Sequence, residues 1–582
     1  MFIATTSQRP LLQRLIAGGL IVLQVLTPAL FAGTARAQVR PNAVNPDRSA
    51  QGQRPVVNVA ANGVPVVQIS PPSAAGVSNN RFTDYNVGEK GLILNNTGSN
   101  SQTHLAGWIA GNPMLGNGSA RTILNQVTGS TPTSMAGYTE VGGNKANVII
   151  ANPNGITCAG CGFINTPRVT LSTGTPEIGA DGSVRGFSVR RGQITIDGTG
   201  FEARSVDQVD LIAHSLRINA ELWAKRLELR TGGAQVDYDG GGVTANPTST
   251  GAETVALDVS QLGGMYANSI RLIGTERGVG VNSAGVIDAL TGNLEMTEAG
   301  DVRIVGGSMR SKGDLSIYGE AGISNAGTIH ADGRGAIYAS GTLSNSGVMI
   351  AGQGLRMQGG SVDNTGSIAA GAGADGKIRS SHDLALIFDG DVRNRGELLA
   401  GRNLTLSGKN GSLAEGNITS VTNLQGKVSS KGNTAVDTDT LDNNTGIVSA
   451  EGDLLVQASG AVQNHEGVLQ ANRHLALTAA SLANGKRDAL ASGKIVTADS
   501  GTMAVALLGS LDNAQGVIAG GSNVSLSAAS VDNTGGQLSA SGSMDVAVSA
   551  ALANALGRIE GEQITVSAGS INNRSAPSTT CS

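Results

Sequence analysis

From Val56 onward the chain is filled with short runs in which apolar and polar residues alternate. Leu216, Ile218, Ala220, Leu222 and Ala224 alternate with Arg217, Asn219, Glu221 and Trp223. That period of two predicts a half-buried strand rather than a helix. Gln193-Ile194-Thr195-Ile196-Asp197 is a second such strand, closed by Gly198.

In the second half the runs recur at a fixed interval. Asn followed within one to three residues by Gly occurs at Asn325, Asn345 and Asn364, again at Asn444, Asn464 and Asn484, and again at Asn513, Asn533 and Asn554, with Asn573 next in the series. Most are 19 to 21 residues apart. The wider steps from Asn364 to Asn394 and from Asn484 to Asn513 read as a ten-residue insertion or half a coil. A short aliphatic triplet, a turn and a second aliphatic strand follow most of these asparagines, as in Asn444-Thr-Gly-Ile-Val-Ser-Ala-Glu-Gly-Asp-Leu-Leu-Val. Two or three strands per ~20 residues make one coil of a right-handed parallel β-helix, an all-β solenoid. No coil can bury its own inner face, so coils must stack. At ~4.8 Å per rung, about 26 periods from Val56 to Asn573 give a rod of roughly 125 Å. Asparagines at one corner of successive coils are expected to form an amide ladder, with the following Gly in the left-handed conformation. Antiparallel hairpins would not hold this register over so many repeats.

Composition narrows the class further. The 582 residues include 84 Gly, only 3 % aromatics and 14 % charged residues. Disorder needs low hydrophobicity with high net charge, and here the net charge is −4. There is no long basic run, which argues against nucleic acid as a partner. Three cysteines cannot make a disulfide framework. Arg9 and Arg14, the apolar stretch Leu15–Leu26 and the small-x-small site Ala35-Arg36-Ala37 read as a cleavable signal peptide over 1–37. Residues 38–55, with three prolines, read as an irregular lead-in. No later stretch reaches the ~18 apolar residues of a membrane span, so no integral span is expected in the mature chain.

The most specific block is Ala146–Pro176. Its apolar strand Val148-Ile149-Ile150 runs into Asn152-Pro153-Asn154-Gly155 and Ile156. Pro153 suits the second position of a turn, and Asn154 and Gly155 tolerate the positive φ expected after it. Upstream come Gly76–Phe82, Tyr85-Asn86-Val87, Gly91–Asn96, Ile109-Ala110-Gly111-Asn112-Pro113-Met114-Leu115 and Gly137–Val141. This ordered series resembles the secretion domain of the two-partner secretion passengers, the family of filamentous haemagglutinin. The resemblance covers about 55–300, so a secretion domain over 56–300 caps a repeat region over 301–582. The family carries two Asn-Pro-Asn turns; here Asn112-Pro113 is followed by Met114. Asn112, Pro113, Asn152, Pro153, Asn154, Gly155 and Ile156 are therefore the expected secretion motif.

The resemblance implies export by the Sec machinery, then recognition by an outer-membrane TpsB-type β-barrel with periplasmic POTRA domains. The chain threads through in extended form and folds at the surface of a Gram-negative cell. It implies a secreted or cell-surface adhesin with a host-cell or bacterial-surface receptor. Alternatively, the chain is the stalk of a contact-dependent growth-inhibition toxin whose toxin domain lies beyond Ser582. The chain ends where a new coil is expected to begin, which reads as a truncated product or fragment.

Cys158-Ala-Gly-Cys161 has three readings. A redox site would open a helix, and no helix pattern follows. A zinc half-site needs a second ligand pair, and none lies near. A local disulfide stapling a Gly-rich loop is favoured, and Cys581 reads as unpaired. Gly371-Ala-Gly-Ala-Asp-Gly376-Lys377 matches a phosphate-loop pattern, but Ile378 follows and no βαβ context surrounds it. The histidines are scattered, with no H-E-x-x-H or G-x-S-x-G. No catalytic constellation, metal or cofactor is expected, and the chain reads as non-enzymatic.

Overall fold

A computed structural model describes residues 43–574 apart from 117, 247–254, 409–417 and 487–490. The signal peptide over 1–37 and Cys581 lie outside the described residues.

Alternation becomes architecture one coil at a time. Ile447–Ala450, Leu454–Ala458 and Ala461–Gln463 form three sides of one turn, and Val468–Ala471, His474–Ala479 and Ser481–Ala483 form the next. The two coils pair parallel and in register, Val448 on Leu469, Val456 on Leu477 and Val462 on Leu482. All six side chains point inward and are at most 1 % exposed. Repeating this gives a single apolar core running from Val44 to Leu552. Among the described residues there are strands and no helix, and the coils wind in the right-handed sense usual for parallel crossovers.

One face can be followed without a break. Starting at Pro65–Gln68 and ending at Arg558–Glu560, 20 strands are joined by parallel pairings. At ~4.8 Å per rung the stack is roughly 90 Å long. The expected 26 periods and 125 Å overcount, because part of the chain leaves the coil. The hairpin of Ser101–Thr103 and Gly107–Ile109 lies outside the coil, as does an antiparallel sheet of Thr175–Ile178, Val184–Val189, Ala234–Asp237 and Val243–Ala245. The wide step from Asn364 to Asn394 is an insertion, not half a coil. The flanking strands keep register across it, Leu355 on Leu384 and Ser367 on Glu397.

The lead-in is not wholly irregular. Val44–Pro46 pairs antiparallel with Val77–Tyr85, and Val56–Val59 pairs antiparallel with Pro65–Gln68. These reversed strands close the N-terminal end of the stack, where an open parallel coil would expose unpaired backbone.

The corner carries the expected ladder, with two corrections. Each Asn Nδ2 donates to the Oδ1 of the next, from Asn325 through 345, 364, 394, 423, 443, 464, 484, 513, 533 and 554 to Asn573, at 2.7–3.0 Å. Asn443 takes the place expected for Asn444, and Asn423 is a rung the repeat pattern passed over. Asn444 instead faces out and donates to Gln463 Oε1 at 3.2 Å. The left-handed residue is also not the Gly. At six corners it is the residue before it, Gln425, Thr445, Glu466, Gln515, Leu556 and, in one coil, Gly535, at φ 57–63°, and at Asn325, Asn345, Asn364 and Asn394 no corner residue is left-handed. Gly is needed for space. A Cβ on Gly446 would lie 1.9 Å from the Asn423 carbonyl oxygen, and one on Gly467 would lie 2.1 Å from that of Asn443.

Candidate functional site

Asn152 ends the strand Asn147–Ala151 and turns the chain into Ile156–Cys158. Gly155 N–H donates to Asn152 O at 3.1 Å, which closes the turn. Asn152 Oδ1 accepts from Asn154 N at 2.9 Å. Its Nδ2 reaches the preceding coil, donating to Thr131 O and Thr133 Oγ1, each at 3.0 Å. The side chain is completely buried. A buried amide with all these partners satisfies corner backbone that would otherwise be orphaned.

Asn112 does the same at a different corner. Its Nδ2 donates to Ile69 O at 2.9 Å and Asn95 O at 3.2 Å, and its Oδ1 accepts from Met114 N at 3.0 Å. It too is fully buried. The positive φ expected at Asn154 is absent there; within the Asn152–Gly155 turn only Gly155 is left-handed, at φ 114°. Negative φ at the third turn position is open to any L-residue, so Met114 fits without strain. What Met114 lacks is the bond that Asn154 Nδ2 makes to Gly129 O at 2.8 Å. Ile156 is a core residue, paired with Thr133 on one side and Ile194 on the other. Of the seven expected motif residues, Pro113 is exposed, Pro153 and Asn154 are half-buried, and the other four are buried.

Cys158 and Cys161 are joined by a disulfide across the corner that leads from Ile156–Cys158 into Cys161–Ile164. Both are at most 1 % exposed and sit in the apolar core beside Phe163 and Phe201. Among the described residues no group of His, Cys, Asp and Glu is arranged to hold a metal.

Three further features escaped sequence reasoning. The external sheet lays Phe187, Val189, Val236 and Tyr238 over Leu124, Ile149 and Ile212 of the coil. This explains why Val148-Ile149-Ile150 is an unbroken apolar run: both faces are covered. Beside the sheet lies a buried ionic network. Arg168 Nε contacts Asp210 Oδ2 at 2.6 Å, Thr170 Oγ1 and Gln208 Nε2 also donate to Asp210, and the Arg168 guanidinium stands 4.1 Å over the Tyr238 ring. Burial opposes the Arg168 charge, yet Asp210 holds it above the usual arginine value. Burial pushes the Tyr238 phenol up to about 12. Third, Glu140 accepts from His104 N at 2.7 Å and Leu105 N at 2.8 Å, fixing the hairpin on which Trp108 stands 72 % exposed. A lone carboxylate inside Tyr-Thr-Glu-Val-Gly was its sequence trace.

Comparison with known proteins agrees with this layout. The TPS secretion domain matches over residues 42–304, and the haemagglutinin repeat matches over 289–396, 380–437, 429–502 and 496–575. The chain belongs to the exoproteins of two-partner secretion, which are secreted or cell-surface proteins of Gram-negative bacteria. It is 44 % identical over 293 residues to "Toxin CdiA" of Yersinia pestis, covering 50 % of this chain and 9 % of that protein. It is 35 % identical over 510 residues to "16S rRNA endonuclease CdiA" of Enterobacter cloacae, covering 83 % of this chain and 14 % of that one. The chain thus spans about a tenth of the length of the curated relatives it matches. Among solved structures it is similar to the filamentous hemagglutinin secretion domain, with 26 % identity, a TM-score of 0.42, and coverage of 59 % of this chain and 99 % of the other.

Proposed function

We propose that this chain is the leading part of an exported surface rod. The Sec machinery delivers it to the periplasm. A cognate TpsB-type outer-membrane barrel with POTRA domains reads the secretion domain there. The rod folds outside and attaches to a receptor on a host or bacterial surface, with no catalytic role of its own. The observation that supports this reading is the burial of the motif. Asn112, Asn152, Gly155 and Ile156 are hidden once the coils have formed, so a partner must meet them in the unfolded chain. Folding then removes the motif from the partner, and each finished coil templates the next.

The test is secretion. With the transporter gene deleted, the protein should vanish from the medium; wild-type levels there would overturn the reading. Val456→Asp, which places a carboxylate in a fully buried core position, should stall export part-way if coil formation helps pull the chain out.

A second reading is favoured by the relatives' names. Proteins called toxin and nuclease CdiA align with this chain over only about a tenth of their length, as a stalk that presents a distant toxin domain would. A downstream frame encoding an immunity protein, protective in a mixed-culture competition, would support it.

A further inference from the structure

Insertions in a solenoid gather on one face, and that face is often where ligands bind. Residues 371–383 leave the coil between Ser367–Ala370 and Leu384–Phe388. The loop folds back on itself, Ala372 bridging Ile378, and seats Ala372 against Ile350 and Ala369 of the coil. The result is a groove of about 470 Å³ between loop and coil, within the range of small-molecule sites.

Its floor is a column of residues in register on successive rungs: Asp288, Arg310 and His330. One residue pair to the side, Lys312 Nζ meets Asp332 Oδ2 at 2.6 Å, and His330 Nε2 lies 3.5 Å from Asp332 Oδ1. On the loop, Arg379 pairs with Asp375 at 2.8 Å. Arg310, by contrast, makes no carboxylate ion pair among the described residues and is exposed. Around it the groove offers donors and acceptors together with a small apolar wall, Gly371-Ala372-Gly373.

We propose that this groove binds a saccharide bearing a single carboxylate, held by the Arg310 guanidinium. The planar fork suits a carboxylate in two-point contact. His330, Asp332 and Ser380 are placed to bond hydroxyls, and the small wall at Ala372 admits the edge of a sugar ring. A phosphate dianion is disfavoured, because Asp288 and Asp332 flank the same spot. Uronate and sialate residues share the required chemistry. As a receptor site the groove rests on the surface-attachment reading; as a binding site it is tested without it.

The experiment is calorimetric titration of the purified full chain with methyl galacturonoside and with 3′-sialyllactose, each beside its neutral counterpart, methyl galactoside and lactose. One acidic saccharide should bind, and which one identifies the source; its neutral counterpart should fail. Arg310→Met should weaken binding at least tenfold. Since Arg310 is exposed, its melting temperature should not move. Ala374→Trp, on the exposed lip of the groove, should block binding by filling the mouth. No binding to either acid, equal binding to the neutral sugars, or wild-type affinity in Arg310→Met would each overturn the proposal. Because titration needs no transporter, such a failure leaves the export reading standing, and a failed export test leaves the groove standing.

Discussion

The secretion domain and the repeats stack the same rungs but hold the corner in opposite ways. One column of paired positions makes this plain. It runs Met135, Cys158, Ile196, Ile218, Val259, Ser283 and Ile304, and then becomes Asn325, Asn345 and Asn364. In the secretion domain the corner is apolar except at Ser283 and the coils are uneven: Cys158 to Ile196 and Ile218 to Val259 enclose the strands of the external sheet. Register there depends on side contacts, namely the covering sheet, the Asp210 network, a disulfide and the buried Asn112 and Asn152 of two Asn-Pro turns. In the repeats register is carried by one amide per coil, bonded to its neighbours above and below. A ladder costs little sequence and repeats without limit. A covered, cross-braced coil can instead start a stack that has nothing above it to copy.

The largest test falls where the two regions meet. Glu298 is fully buried, with neither carboxyl oxygen bonded, and desolvation pushes its pKa up to about 8. A carboxyl raised from its unfolded value of 4.5 is protonated in the fold while the unfolded chain has already lost its proton. Stability at this junction is therefore full below about pH 4.5, falls as pH rises towards about 8, and is flat above. The loss is on the order of 5 kcal/mol. Glu298→Gln should remove the slope, read as hydrogen exchange of the neighbouring rungs against pH; an unchanged slope would assign it to another group.

Next in size is the corner itself. Asn443→Ala takes from Asn423 Nδ2 its amide acceptor, leaving only Ile447 O, and leaves Asn464 Oδ1 without its ladder donor, at a cost of about 3 kcal/mol. Ile218→Asn should cost as much for the opposite reason, because Ile196 and Val259 offer an amide no partner. Ile304→Asn, next to Asn325, can extend the ladder by one rung and should cost about 2 kcal/mol less than Ile218→Asn. Equal losses at 218 and 304 would show that the ladder does not set the difference. Denaturant midpoints of the three variants decide.

The paired replacement of Cys158 and Cys161 by Ser should destabilise the secretion domain by about 2 kcal/mol, as expected for so short a closed loop. Exchange rates in the repeats beyond Asn325 should not change. The smallest effect has the opposite sign. Thr445 is a β-branched residue at φ 59°, and Thr445→Gly should stabilise its coil by about 1 kcal/mol.

Much of this was legible in the chain. Period-two alternation identified the strands, and the recurring Asn at ~20 residues announced both the coil and the ladder. Legibility failed where a residue's reason lies in another coil. Asn443 and Asn444 are indistinguishable in sequence, and only the register with Asn423 and Asn464 chooses between them. The Gly after each ladder Asn suggested a left-handed turn, whereas the carbonyl of the coil above is what excludes a Cβ. Asn152 and Asn112 carried a recognisable motif, but their burial shows only once Thr131 and Ile69 are brought alongside.

The chain by itself therefore determined that it winds, how long each turn is and which side chains face the axis, because those properties depend on spacing within a single coil. Tertiary structure decided which asparagine joins the ladder, which strands leave the coil to cover it, and where Arg310 and the 371–383 loop enclose a groove. Each of those depends on residues from different coils meeting at rung distance, and no local pattern encodes that.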